Sequence, residues 1–133
     1  RNADKGRMPA LRIGVVDDNE DAAVTLSLLL ETLAHTVLVA HSAREALGAL
    51  PDFGPDVCLL DIGLPDMNGY ELAAALRKKP GTAQAILIAV TGYAQEKDRA
   101  QALAAGFHDL FAKPVDLDVL GAALVQIESR RAA

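Results

Sequence analysis

Apolar residues in this chain come in short, near-continuous runs. Each run is followed by a longer stretch in which apolar positions recur at helical spacing. Leu11 to Val16, Thr36 to Ala40, Val57 to Asp61, Ala85 to Val90 and His108 to Ala112 read as strands. Their near-continuous apolar character predicts strands covered on both faces, as in a parallel sheet. The intervening segments carry helix signals. Asn19 caps a first helix, with Glu20 and Asp21 in the turn where the macrodipole favours negative charge, and Ala22, Leu26, Leu29, Leu30 and Leu33 form its predicted apolar stripe. Ser42-Ala43-Arg44-Glu45 is a capping box opening a helix through Leu50, and Pro51 to Pro55 is expected to break the chain. Asn68-Gly69-Tyr70-Glu71 opens another helix to about Lys79, stopped by Pro80-Gly81. A helix over Gln95 to Ala105 ends at Gly106, a natural left-handed terminator. The last runs from Asp116 to about Ser129, with Leu117, Leu120, Leu124 and Ile127 on one face.

Five strand–helix pairs predict a doubly wound α/β domain, since right-handed crossovers leave few topologies. The economical arrangement is the flavodoxin-like (βα)5 fold with strand order 2-1-3-4-5. Its switch point lies between the first and third strands, where Asp17, Asp18 and Asp61 project. The predicted division is a linker over residues 1–10, one domain over 11–129 and a tail over 130–133. The chain starts at Arg1 rather than Met, which reads as a piece cut from a longer protein.

The composition, 51% hydrophobic and 23% charged over 133 residues, is that of an ordinary soluble globular domain. A net charge of −5 argues against a nucleic-acid surface. The single Cys58 sits inside an apolar run and fits a buried hydrophobe in a reducing, cytoplasmic setting. No stretch is long enough to span a membrane, and the polar segment Arg1 to Arg7 is no signal peptide.

The polar residues that close the runs carry the chemistry. Asp17-Asp18, Asp61, Thr91 and Lys113 each follow a different strand, so a parallel sheet brings them to one edge. Three carboxylates supply hard oxygen ligands suited to Mg²⁺, with Mn²⁺ as the alternative. Asp61, alone at the end of a central strand, is the candidate nucleophile toward phosphorus. Lys113 and Thr91 would bind phosphoryl oxygens, and catalysis would rest on alignment and charge neutralisation. His35, His41 and His108 are not spaced as a metal set and read as surface or core polar residues. Pro65-Asp66-Met67-Asn68-Gly69 reads as turn geometry beside Asp61.

The stretches Val15-Val16-Asp17-Asp18-Asn19, Leu60 to Gly69, Val90-Thr91-Gly92-Tyr93-Ala94 and Lys113-Pro114 together resemble the receiver domain of bacterial two-component signalling. The run Thr91 to Arg99 looks most like receivers attached to hybrid histidine kinases. The resemblance implies that Asp61 is the phosphoacceptor and that Asp17, Asp18 and the backbone carbonyl of Gly63 complete the metal ligands. It implies phosphoryl contacts from Thr91 and Lys113 and a cis bond before Pro114. Gly63 and Tyr93 stand where the family tunes the lifetime of the phosphoryl group; with no side chain at Gly63 to position water and Tyr93 shielding the site, slow hydrolysis is expected. Leu110 departs from the family, which has an aromatic residue or His there; phosphorylation chemistry is expected to be intact and its propagation weaker or different. Phe107 and Phe111 read as core residues.

The implied function is a phosphoacceptor module that takes a phosphoryl group from a phosphohistidine on a histidine kinase or phosphotransfer domain. The modification would switch the face made by the fourth helix, last strand and last helix, through which a homodimer could also form. Such a domain is no enzyme by itself, although a parent kinase would be, and that parent could be membrane-anchored. Two alternatives use the same residues: a pseudo-receiver serving as a constitutive binding module, suggested by Leu110, and a Mg²⁺-dependent phosphohydrolase of the haloacid-dehalogenase type. The latter wants an Asp two residues after the nucleophile, where this chain has Gly63.

Overall fold

The computed structural model describes residues 10–92 and 95–132. Along the chain these form β1 (Arg12–Val16), α1 (Glu20–Thr32), β2 (Thr36–Ala40), α2 (Ala43–Phe53), β3 (Val57–Asp61), α3 (Gly69–Arg77), β4 (Ile86–Thr91), α4 (Glu96–Ala104), β5 (Asp109–Ala112) and α5 (Leu117–Ala132). The strands make one parallel sheet in the order β2-β1-β3-β4-β5, the arrangement expected from the alternation of runs. β3 is buried at every position, as a central strand covered on both faces must be.

Two apolar layers sandwich the sheet. One holds Leu50, Leu60, Leu72, Leu76, Leu87 and Leu110 beneath α2, α3 and α4. The other holds Ile13, Leu30, Leu59, Ile88, Leu120 and Leu124 beneath α1 and α5. Cys58 is fully buried, and burial pushes its thiol up to about 12, so it behaves as a small hydrophobe. Phe107 is core, meeting Tyr70 edge-on at 5.8 Å, and Phe111 is partly buried in the opposite layer. No helix among the described residues is long and apolar enough to cross a membrane.

The structure departs from the sequence pattern in its helices, and at the start of α2 the Glu45 carboxylate takes the His41 N–H in place of the reciprocal capping-box bond to Ser42. On α1 the buried line is Ala23, Ser27 and Leu30, whereas Ala22, Leu29 and Leu33 are exposed and Leu26 is half-buried. The leucine-rich helix offers two stripes one position apart. The structure buries the one that carries Ala23 and Ser27, and the Ser27 hydroxyl is satisfied by donating to the Val24 carbonyl at 2.9 Å. α2 does not break at Pro51 but continues to Phe53. Arg12 holds that last turn, donating from Nε and an Nη to the Phe53 carbonyl at 2.9 and 2.7 Å, with its guanidinium 4.2 Å over the Phe53 ring. Gly54, at φ +68, ends the helix with its N–H on Leu50. α5 runs past Ser129 to Ala132, and Leu117 stays partly exposed while Leu120, Leu124 and Ile127 are buried.

Two predictions follow from packing. Gly69 begins α3 against the end of β3, where a Cβ would stand 2.7 Å from the Ile62 Cα and 3.1 Å from the Asp61 carbonyl oxygen. Backbone cannot yield as a side-chain tip can, so Gly69→Ala should cost about 1–3 kcal/mol in urea unfolding. An unchanged midpoint would show that α3 is free to move away.

At the other end of the sheet, His35 is buried and its Nδ1 accepts the Leu11 N–H at 3.1 Å. Burial lowers its pKa from the ordinary 6.5, against the opposing pull of the Glu128 charge. The fold therefore favours neutral His35, and its contribution is present above about pH 6.5 and lost as pH falls from there toward the lowered value. Wild type should lose more stability than His35→Gln between pH 7 and 5.5; parallel losses in denaturant titrations would contradict this.

Candidate functional site

The carboxyl ends of β1, β3, β4 and β5 bring the predicted residues to one edge. Asp17 and Asp18 follow β1, Asp61 ends β3, Thr91 ends β4 and Lys113 follows β5. Carboxylate oxygens of Asp17, Asp18 and Asp61 all lie within 4.8 Å of one another. Asp18 is exposed, Asp17 is half-buried and Asp61 is 7% exposed. The gradient follows from topology, because β3 is central and β1 lies one strand out.

Lys113 binds this cluster directly. Its Nζ lies 2.9 Å from Asp61 Oδ2 and 3.0 Å from Asp17 Oδ2. Burial pulls the Lys113 pKa down, but its hydrogen bonds and charge interactions with Asp61 and Asp17 outweigh burial and leave it raised. The other oxygen of Asp61 accepts the Gly63 N–H at 2.8 Å. Thr91 pairs in register with Ala112, and its carbonyl accepts the Lys113 N–H at 2.8 Å, so the two are neighbours through the backbone. The bond before Pro114 is cis. Leu110 is buried in the core, its carbonyl accepting a hydrogen bond from the Arg99 guanidinium at 3.1 Å, and Arg99 also pairs with Asp109. Arg99 thus ties α4 to β5 without a ring at position 110. Tyr93 lies outside the described residues.

The donor set fits a hard divalent cation. Its carboxylate oxygens are close enough to share an ion, one strand end is solvent-facing, and one ammonium leaves the cluster short of neutral. A cleft of about 640 Å³ opens beside it, lined by Asp17 and Lys113 and by Ala22, Leu26 and Leu29 of α1.

Two residues bordering the site carried no legible signal in the sequence. The sequence shows His41 only as a scattered polar residue, yet its Nδ1 lies 3.1 Å from the Asp17 carbonyl. Asp66 reads as part of a turn, yet its carboxylate accepts the Ala43 and Arg44 N–H groups at 3.1 and 3.0 Å. Those bonds reach 24 and 22–23 positions along the chain, so local spacing could not reveal them. His35 is a core residue, and His108 is an exposed position just before β5.

Comparison with known proteins gives this arrangement a family. The model of the response regulator receiver domain matches residues 13–125. The uncharacterized 14.6 kDa protein in the sodA1 3′ region of Leptolyngbya boryana is 41% identical over 102 residues, 77% of this chain and 78% of that protein. Virulence sensor protein BvgS of Bordetella bronchiseptica is 33% identical over 128 residues, which cover 92% of this chain but only 10% of BvgS. Among solved structures, a CheY-like response regulator receiver domain protein from Methanospirillum hungatei JF-1 superimposes with a TM-score of 0.78 at 31% identity, covering 93% of this chain and 98% of that one. The chain therefore belongs to the response regulator receiver domain family of two-component systems.

Proposed function

We propose that this receiver accepts a phosphoryl group on Asp61 from a phosphohistidine, with Mg²⁺ held by Asp17, Asp18, Asp61 and the backbone carbonyl of Gly63. The observation that carries the reading is the Lys113 ammonium lodged between Asp61 and Asp17 inside a three-carboxylate cluster. Mg²⁺, when bound, supplies charge neutralisation for the carboxylates and the incoming phosphoryl oxygens.

The protein's own groups do the rest. A carboxylate oxygen of Asp61 attacks phosphorus, an O–P bond forms, and the P–N bond to the donor imidazole breaks with its electron pair on nitrogen. Lys113 side-chain exposure is 31%, which leaves its Nζ room to pass from the Asp61 carboxylate to a phosphoryl oxygen. The Gly63 N–H steadies the second carboxylate oxygen. The Thr91 hydroxyl serves a further phosphoryl oxygen.

The partner is accordingly a histidine kinase or histidine phosphotransfer domain, in the cytoplasm, and the domain itself contacts neither nucleic acid nor membrane. A hybrid histidine kinase is the parent favoured by the run Thr91 to Arg99, and the match to one tenth of a virulence sensor protein is compatible with a receiver set within a longer chain. The output passes through α4, β5 and α5. α4 buries only Ala102 and is clasped to β5 by Arg99, so a modest change at Thr91 suffices to move it. With Leu110 in place of an aromatic residue, Arg99 carries that coupling. Gly63 has no side chain to position an attacking water, which slows loss of the phosphoryl group.

Incubation with a small-molecule phosphodonor and Mg²⁺ should produce a shifted band on a phosphate-affinity gel. The band should vanish with chelator and in Asp61→Asn. No band in wild type, with Mg²⁺ still bound, would favour the pseudo-receiver; a band that survives in Asp61→Asn would overturn the assignment.

A further inference from the structure

We propose that the first turn of α2 braces the two carboxylate-bearing loops against each other, and that Asp66 is its positioning residue. This deepens the receiver reading and rests on it. An α-helix begins with N–H groups that have no partner within the helix. In α2 the Ala43 and Arg44 N–H groups go to the two oxygens of Asp66, and the Glu45 N–H goes to Ser42 Oγ. The first bond to a carbonyl within the turn is that of Ala46 to Ser42. Ser42 caps its own helix, whereas Asp66 belongs to the loop between β3 and α3, five residues beyond Asp61 in sequence. The helix start is thus satisfied partly by the loop that leaves the phosphoacceptor strand.

The same turn grips the other loop. His41 precedes the Ser42 cap, and its Nδ1 must carry the proton toward the Asp17 carbonyl, because a carbonyl only accepts. The His41 backbone N–H donates to Glu45 Oε1 at 2.7 Å, fixing that residue to the helix. A continuous path therefore runs from Asp17 through His41 and the α2 start to Asp66, and along its loop to Gly63 and Asp61. The backbone bonds to Ala43 and Arg44 hold the Asp66 carboxyl below its usual range, so the brace is anionic near neutral pH and complements the positive end of the helix.

Asp66 is exposed, so its removal lets water satisfy the released N–H groups and the fold persists. Mg²⁺ affinity and backbone amide shifts should be followed by NMR for wild type, Asp66→Ala, Asp66→Asn and Ser42→Ala. Indirect ligand positioning is worth up to the 10–100-fold seen for groups that touch ligands directly, so Asp66→Ala should weaken Mg²⁺ binding about 3- to 10-fold. Asp66→Asn, which keeps an acceptor oxygen, should fall between. Ser42→Ala should lower the melting temperature and leave Mg²⁺ affinity near wild type. In the metal-free spectra, Asp66→Ala should shift the Asp17 and Gly63 amides as well as those of Ala43 and Arg44. Equal Mg²⁺ affinity in Asp66→Ala, or an equal loss in Ser42→Ala, would overturn the brace. Failure of wild type to bind Mg²⁺ would instead strike the receiver chemistry; the metal-free shifts then decide the brace, and unmoved Asp17 and Gly63 amides would refute it.

Discussion

Lys113 reaches across the carboxyl edge of the sheet to set its ammonium 2.9 Å from Asp61 and 3.0 Å from Asp17. Like charges less than 5 Å apart near a protein surface repel by about 4 kcal/mol, so carboxylates gathered this closely hold together only with positive charge among them. The ammonium supplies part of it and leaves the cluster short of neutrality. The same deficit that makes the edge costly in isolation suits it to a divalent cation, and it follows from how the sheet spaces its strand ends.

The sheet order is what produces that spacing. β3 lies between β1 and β4, so Asp61 is flanked by the acidic pair on one side and by Thr91 on the other. Lys113, arriving from β5, must span two strand positions to reach Asp61, which a long flexible side chain can do. Gly69 presses α3 against Ile62 and the Asp61 carbonyl, so the strand end has little freedom to drift. The packing below the site contrasts with the exposed, polar attachment of α4 beside it, which buries only Ala102.

Most of this was legible in the amino-acid sequence because the informative signals are local. Val57 to Asp61 announces a buried strand by its unbroken apolar run, and Asn68 with Glu71 announces a helix start by a reciprocal pair of bonds that the structure contains. Parallel strands then deliver their terminal residues to one edge whatever the details of packing. Local pattern failed where a second force decided the outcome. On α1 the predicted Leu26 and Leu30 do face the core, but Ala23 and Ser27 complete the buried line in place of Ala22 and Leu29, because tertiary packing chooses between two adjacent apolar stripes. Pro51 did not end α2 because Arg12, far away in sequence, secures the following turn. The contacts of Asp66 and His41 leave no local signal for the same reason: their partners are more than twenty residues away.

The identity of the nucleophile is the claim on which the functional account turns, and it can be read from a covalent record. An acyl phosphate is reduced by borohydride to the corresponding alcohol, converting the modified aspartate to homoserine. Peptide mass spectrometry after phosphodonor treatment and borohydride reduction should find homoserine at position 61, dependent on Mg²⁺. Homoserine at position 17 or 18, or unmodified aspartate at all three positions after a verified phosphorylation, would contradict the account.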